Sequence, residues 1–351
     1  MKYYIKEVFS NEKNNKNAGS KARLDVERVL DVNGYKSISI FLEDNIQNNI
    51  CSKILLHITK FKEIKKNVSH LNKGDEVIIQ YPMVNHSILF ADVIRKLTRK
   101  GVKITLLIHD LELFRQASVT KSFLNKIRIL FEEISALKTA TKIIAHNDIM
   151  KSKLIDKGIS STKIVSLEIF DYLIPNDINL NLAKRNLPII IAGNLSPIKA
   201  GYLSNLPMNI KFNLFGVGFI DNSYENVSYK GAFLPDDLVK ALDGSFGLVW
   251  DGDSSETCSG VFGEYLRINN SHKASLYLAA GYPLIVWKHS ALAKFVMEHK
   301  CGITVDSLSE LNMILCNISD EYYSELVSNT HELSLLLRSG TFLLKAISKD
   351  N

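Results

Sequence analysis

The residues with the clearest chemical potential in this chain are five polar ones at positions 269–273, Asn-Asn-Ser-His-Lys. An apolar run follows them and stops at Gly281, a pattern that predicts a short helix beginning at Ser271 or His272. The first turn of a helix offers unpaired backbone N–H groups and the positive end of the helix dipole, and His272 and Lys273 add side-chain donors there. The corner therefore predicts an anion site, with an ordinary capped surface helix as the alternative.

Two other loops combine glycine with basic residues directly after predicted strands. Gly19 follows the first strand with Lys21 close behind it, and Gly193 follows a strand of the second half, with Asn194 and Lys199 behind it. Glycine lets backbone approach a ligand closely, and lysine supplies positive charge. Each loop alone is equally compatible with a plain turn that carries a solvated lysine.

His109 and Asp110 directly follow residues 102–108, the most apolar strand predicted in the first half of the chain. An imidazole or a carboxylate at the carboxyl end of a strand could remove a proton from a hydroxyl, which is the task of a general base. The alternative is that Asp110 caps the helix that follows.

Asp251 and Asp253 follow a predicted strand of the second half and are separated by one glycine. Two carboxylates at this spacing are typical of a motif that holds Mg²⁺ or Mn²⁺ through hard oxygen ligands. The basic corner at 269–273 could neutralise a diphosphate without metal, so we favour loop ordering or recognition of a hydroxyl for these residues.

The composition, with 46% hydrophobic and 23% charged residues, is that of a soluble globular protein, and 351 residues predict two domains. The net charge of +6 suits an anionic substrate or an acidic membrane surface, but the basic residues form no stripe, so nucleic acid is not an expected partner.

No apolar run approaches the roughly 20 residues that cross a bilayer, and the N-terminus does not have the pattern of a signal peptide. We expect a cytoplasmic protein, with peripheral association at the inner membrane face left open. The four cysteines form no CxxC pair, which disfavours a zinc site.

Short runs of branched residues alternate with amphipathic stretches along the chain, with a break at 171–187. This alternation predicts parallel sheets covered on both faces, and hence an α/β protein of two doubly wound, Rossmann-like domains facing across a cleft. The expected division is two Rossmann-like domains at 1–180 and 181–330, followed by a helical tail at 331–351 that packs toward the first domain.

Several short segments, spread in order over nearly the whole chain, carry a family resemblance: Ala18-Gly19, Ile108-His109-Asp110, Ala145-His146-Asn147, Phe170-Asp171-Tyr172, Gly193-Asn194-Leu195-Ser196, Trp250-Asp251-Gly252-Asp253, Asn269-Asn270 and His272-Lys273. On these segments the chain resembles glycosyltransferases of the GT-B architecture, and more narrowly the bacterial galactofuranosyltransferases of O-antigen assembly. One departure is Ser271, where the family has proline. The pattern around Lys273 is also similar, more distantly, to glucosyltransferases that extend O-linked N-acetylglucosamine on serine-rich adhesins.

The resemblance implies an enzyme of lipopolysaccharide or other polysaccharide biosynthesis. It implies transfer of galactofuranose from UDP-galactofuranose, with inversion to a β-linkage, onto a saccharide acceptor that is lipid-linked. The domain at 1–180 would then be the acceptor domain, and the domain at 181–330 the nucleotide-sugar domain. It implies no cofactor, because the donor is a substrate and a divalent metal is not essential. The residues expected to bind the nucleotide sugar are Gly19, Lys21, Gly193, Asn194, Lys199, Asp251, Asn269, Asn270, His272 and Lys273. For the catalytic base we expect Asp110, assisted by His109, with Asp25 and Glu264 in reserve. The alternatives are a UDP-glucose-dependent enzyme acting on an adhesin and a non-catalytic subunit, and homo-oligomerisation stays open.

Overall fold

The computed structural model describes residues 1–9, 18–42, 50–83, 90–115, 123–175, 177–220 and 224–349. The described residues form two compact units. Unit 1 contains those at 1–9, 26–167 and 345–349, and unit 2 contains those at 18–25 and 168–344.

Unit 1 is built around one parallel sheet of six strands. The strands are β1 (Lys2–Phe9), β2 (Lys36–Leu42), β3 (Glu76–Tyr81), β4 (Lys103–Ile108), β5 (Lys142–Ala145) and β6 (Ile164–Ser166). The helices between them are α1 (Ala18–Val32), α2 (Ile50–Asn67), α3 (Phe90–Arg99), α4 (Glu112–Arg115), α5 (Phe123–Thr139) and α6 (Asp148–Asp156). The strand order is β2-β1-β3-β4-β5-β6.

Unit 2 contains a second parallel sheet of six strands. These are β7 (Ile189–Asn194), β8 (Phe212–Val217), β9 (Val227–Gly231), β10 (Gly247–Val249), β11 (Leu284–Trp287) and β12 (Gly302–Val305). The helices that follow β7 in the chain are α7 (Pro197–Ala200), α8 (Pro235–Ala241), α9 (Gly260–Tyr265), α10 (His272–Ala279), α11 (Leu292–Glu298), α12 (Leu311–Asn317), α13 (Asp320–Arg338) and α14 (Thr341–Ser348). The strand order is β12-β11-β10-β7-β8-β9.

Strands inside both sheets contain runs of consecutive buried residues. Ile143, Ile144 and Ala145 of β5 are consecutive and fully enclosed, and so are the residues of β11. Consecutive burial means that both faces of a strand are covered, as expected for parallel sheets with crossover helices. The structure therefore confirms the α/β fold of two doubly wound units.

The second sheet has a topological switch point between β7 and β10. From β7 the chain runs outward through β8 and β9, then returns to the other side of β7 to form β10 and the strands beyond it. In open α/β sheets, ligands bind at the carboxyl ends of the strands beside such a switch point, here the ends of β7 and β10.

The C-terminal part of the chain forms two helices where the sequence predicts one helical stretch from about 320 to 349. Gly340 has φ +77° and separates α13 from α14. Ser334 of α13 donates a hydrogen bond to the Ala279 carbonyl at 2.7 Å, and Lys142 donates one to the Ile347 carbonyl at 2.8 Å. In the described ranges no helix is both long and apolar enough to cross a membrane.

Candidate functional site

Lys273 lies at the start of α10, and its ammonium group points into the end of β10. Its Nζ donates to the Asp251 carboxylate at 2.8 Å and to the Trp250 carbonyl at 3.0 Å. Both charged side chains are buried. Because a buried charge needs a partner, this pair fixes the lysine head at the carboxyl end of β10.

Gly193 brings the end of β7 against the same lysine. Its φ is +127°, and a Cβ atom at this position would lie 3.4 Å from Lys273 Cε. Gly216 of β8 pairs with Gly193, and a Cβ there would lie only 1.8 Å from the Gly193 oxygen. The two glycines therefore allow a close backbone approach, and Gly193, Asp251 and Lys273 meet at the switch point of the sheet.

Asn194 and Lys199 continue the loop after β7. The Asn194 side chain accepts the Ser196 N–H at 2.9 Å, so it shapes the turn that begins α7. The Lys199 ammonium lies 5.5 Å from the centre of the Phe262 ring, while the Lys199 carbonyl accepts the Gly252 N–H at 2.9 Å. The loops after β7 and β10 are thus tied together directly.

The loop after β10 is tightly wound around Gly252. This glycine has φ +116°, and a Cβ there would lie 2.1 Å from the Ser259 oxygen. Asp253 is exposed, in contrast to Asp251, which faces Lys273. Across the part of the chain that the structure describes, no group of three or more His, Cys, Asp or Glu side chains could hold a metal ion.

The asparagines before α10 fix the corner from the other side. Asn270 Nδ2 donates to the carbonyl of Glu168, a residue with φ +77°, and the Asn269 Oδ1 is buried without a hydrogen-bond partner in the described structure. The His272 ring lies 5.3 Å from the ring of Tyr172. The segment after β6 and the start of α10 therefore pack against each other.

Lys21 and Gly19 lie in the first turns of α1. The Lys21 ammonium is buried and donates to Asp25 at 2.8 Å and to the Leu173 carbonyl at 2.7 Å, and Asp236 lies 3.3 Å away. The sequence predicts Lys21 as a residue that binds the nucleotide sugar, and its pairing with Asp25, Asp236 and the Leu173 carbonyl was not predicted. The i,i+4 spacing of Lys21 and Asp25 was the available signal, whereas Asp236 is distant in the sequence.

His109 and Asp110 lie in unit 1, at the carboxyl end of β4. His109 Nε2 shares a hydrogen bond of 2.8 Å with Gln80 Oε1, and Asp110 pairs with Arg115 at 3.3 Å. His146, at the end of the neighbouring β5, is fully enclosed, and burial lowers its pKa to about 4. Gln80, Arg115 and His146 therefore surround the proposed base, and only His146 was visible to sequence analysis, as part of the family resemblance.

The two reserve carboxylates have different surroundings. Asp25 is almost completely buried, between Lys21 and the Leu173 N–H. Glu264 is exposed and pairs with Arg267 at 2.8 Å. Neither carboxylate resembles Asp110, which is partly exposed at the end of a strand.

Comparison with known proteins assigns the chain to a family. The model for the N-terminal domain of glucosyltransferase 3-like proteins matches residues 2–169, and the model for their C-terminal domain matches residues 189–349. The chain belongs to the glucosyltransferase 3-like family. The β-1,6-galactofuranosyltransferase WbbI of Escherichia coli is 32% identical over 93% of this chain and 92% of the relative. Glucosyltransferase 3 of Streptococcus gordonii is 27% identical over the same shares.

Solved structures show the same fold at low sequence identity. Sucrose-phosphate synthase from Thermosynechococcus elongatus superposes with a TM-score of 0.61 and 14% identity, covering 99% of this chain and 97% of that one. HepE of Anabaena in complex with UDP-glucose gives a TM-score of 0.58 and 13% identity, covering 99% of this chain and 100% of that one. The chain thus has the GT-B glycosyltransferase fold, and its family relationship makes it a hexosyltransferase. The resemblance stated from the sequence is confirmed.

Proposed function

We propose that this hexosyltransferase uses a UDP-sugar and binds its pyrophosphate at the corner formed by Gly193, Asp251 and Lys273. The observation that carries the proposal is the buried Lys273 ammonium at the β7/β10 switch point, beside a glycine that lets the end of β7 approach the lysine closely. The N–H groups at the start of α10 and the nearby Asn269, Asn270 and His272 complete a set of donors for an anion.

The chemistry explains why donors are needed at this place. Breaking the bond between sugar and phosphate builds positive charge on the anomeric carbon and negative charge on the departing diphosphate. Donors that are already oriented stabilise this charge by about 2–4 kcal/mol each. With Lys273, His272 and Lys199 in this role, and Gly19 and Lys21 on the side of α1, the reaction requires no metal.

For the donor sugar we propose galactofuranose, transferred with inversion onto a saccharide acceptor that is lipid-linked. The support is the relative named as a β-1,6-galactofuranosyltransferase, which matches over nearly the full length of both chains. Inversion needs one base to deprotonate the acceptor hydroxyl, and Asp110 is the carboxylate at a strand end with His109 beside it. A lipid-linked acceptor would bring the enzyme to the cytoplasmic face of the membrane.

A second candidate is transfer of glucose from UDP-glucose, which would extend O-linked N-acetylglucosamine on an adhesin. The family models and the streptococcal relative, both named for glucosyltransferase 3, favour it. The two candidates share the nucleotide site and differ in the sugar and the acceptor.

The deciding experiment incubates the purified chain, in EDTA, with UDP-galactofuranose or UDP-glucose and a panel of glucoside and N-acetylglucosaminide acceptors. We expect UDP release and a new β-linked product with UDP-galactofuranose only. Turnover restricted to UDP-glucose and an N-acetylglucosaminide would establish the second candidate instead. Binding of UDP without transfer or hydrolysis of either donor, with added Mg²⁺ as well as in EDTA, would indicate a non-catalytic subunit, whereas turnover with Mg²⁺ that is lost in EDTA would contradict the metal-free site.

A further inference from the structure

The lysine at the proposed pyrophosphate site is neutralised by a carboxylate of the chain itself. The Asp251 side chain is 7% exposed and the Lys273 side chain 10% exposed, and their charged atoms lie 2.8 Å apart. An incoming pyrophosphate and Asp251 would therefore compete for the same ammonium group. Two anions that share one lysine at close range repel each other. Asp251 would therefore need a second hydrogen-bond donor once the ligand is bound.

The buried hydroxyl of Tyr202 is the candidate for this second donor. The residue follows α7, is 0% exposed, and its oxygen has no hydrogen-bond partner in the described structure. Burial raises the pKa of Tyr202 well above its usual range, and the nearby charge of Asp251 raises it further. An unpaired buried hydroxyl is costly, and such groups in native proteins call for an explanation.

The backbone keeps Tyr202 and Asp251 in one framework. The Tyr202 N–H donates to the Gly252 carbonyl at 3.1 Å, and the Gly252 N–H returns a bond to Lys199. The hydroxyl and the carboxylate therefore belong to loops that are joined on either side of the switch point. An exchange of partners by Asp251 would therefore involve rotation of its side chain between staggered conformers.

We propose that Asp251 is the built-in counter-ion of Lys273, and that it exchanges Lys273 for the Tyr202 hydroxyl when a pyrophosphate binds. This inference rests on the proposed function, since it concerns the same lysine. It makes Asp251 and Tyr202 positioning residues that act through Lys273. The affinity for nucleotide then depends on competition for Lys273 between the Asp251 carboxylate and the pyrophosphate of the ligand.

The test compares Asp251→Asn, Tyr202→Phe and the double variant with the parent chain, and Asp253→Asn is the matched control in the same loop. Binding of UDP and of inorganic pyrophosphate is measured by calorimetry in EDTA, and the Tm of each variant is measured with and without ligand. Asp251→Asn keeps the shape of the side chain and removes only the competing charge. Asp253 is exposed and does not face Lys273.

Opposite effects are expected from the two substitutions. Asp251→Asn lowers the Tm of the ligand-free protein by roughly 5 °C or more, because Lys273 is left buried and unneutralised, and it tightens UDP binding about tenfold. Tyr202→Phe leaves the ligand-free Tm unchanged or raises it, yet weakens UDP binding about fivefold, because Asp251 loses its second partner. The double variant binds like Asp251→Asn alone, and Asp253→Asn binds like the parent.

The contradicting outcomes are equally distinct. If Asp251→Asn binds UDP no better than the parent, Asp251 does not compete with the ligand, and the exchange is wrong although the proposed function stands. If Asp251→Asn fails to fold, an unchanged UDP affinity in Tyr202→Phe overturns the exchange by itself. If the parent binds no UDP but Asp251→Asn gains stabilisation by pyrophosphate, the exchange holds and the nucleotide assignment fails. Absence of binding by every variant contradicts both.

Discussion

At the residue scale, two of the three lysines expected to bind the nucleotide sugar, Lys21 and Lys273, have different surroundings. Lys21 is enclosed by Asp25, Asp236 and a backbone carbonyl, whereas Lys273 has one carboxylate partner and a glycine beside its stem. Two of the described carboxylates thus neutralise Lys21, and one neutralises Lys273. The charge of Lys21 serves first to join α1 to the segment after β6.

Lys273→Ala should weaken UDP binding by more than about 100-fold, since an oriented ammonium in a buried site contributes roughly 3 kcal/mol to binding a phosphate. Titration calorimetry measures the affinity directly. The control is Lys294→Ala, which removes an exposed lysine that pairs with Glu298 on α11. Retention of parental affinity by Lys273→Ala would remove this residue from the site.

Asp110→Asn should leave UDP binding unchanged and reduce turnover by more than about 100-fold, because an amide cannot accept the proton of an attacking hydroxyl. Separate measurements of UDP affinity and of kcat distinguish these effects. Asp156→Asn, in the same unit, should change neither. Near-parental turnover in Asp110→Asn would shift attention to His109, which is held by Gln80.

His146 should make the protein less stable in mild acid. Its pKa is about 4 in the folded state, below the usual 6.5, so between these values the unfolded chain binds the proton and the native state does not. The contribution of His146 to the free energy of unfolding therefore falls by about 1.4 kcal/mol per pH unit as the pH drops from 6.5 toward 4. Urea unfolding at pH 5 and pH 7 should show a loss about 2 kcal/mol smaller in His146→Gln than in the parent. An identical loss in both proteins would contradict the assignment.

The pH response of the whole chain also contains opposing groups, which is why the comparison with a variant is needed. Burial raises the pKa of Glu133 and of Asp171 to about 7 each. A carboxyl with a raised folded-state pKa keeps its proton while the unfolded chain releases it, so these two groups favour the folded state as the pH falls from 7 toward 4. Only the difference between parent and His146→Gln isolates the histidine.

At the element scale, the long elements were predictable and the short ones were not. The sequence pattern identifies every strand of both described sheets and the longer helices to within a few residues, because the strands are short apolar runs and the helices have a repeating apolar face. Helices α4, α7 and α9 were not predicted, since they contain only four to six residues and α9 includes two glycines. The partners of Lys21 and Lys273 were equally hidden, because Asp236 and Asp251 come close only when the chain folds.

The close pairing of β7 and β8 gives a prediction for Gly216. An added Cβ at Gly216 would lie 1.8 Å from the Gly193 oxygen and overlap it. Gly216→Ala should therefore lower the free energy of unfolding by about 3 kcal/mol or more and the Tm by roughly 6 °C or more. Gly281→Ala is the matched control, because φ is also positive there, at +87°, but nothing lies within 4 Å of the added atom. It should cost about 1 kcal/mol. Equal Tm values for the two variants would show that the strands do not approach as described.

At the scale of the whole molecule, the family relationship extends over both units. Each of the two family models matches one of the two sheets with its helices, and the relatives match over more than nine-tenths of the chain. The solved structures share the fold at 14% identity or below. The fold is therefore compatible with very different sequences, and the choice of sugar and acceptor depends on residues that fold alone does not specify.

The most direct test of the nucleotide site is a crystal structure of the chain with UDP bound. We predict pyrophosphate oxygens within about 3.2 Å of Lys273 Nζ and beside the N–H groups at the start of α10, with Gly193 facing the phosphates. A nucleotide bound away from this corner, with the Lys273–Asp251 pair undisturbed, would contradict the assignment.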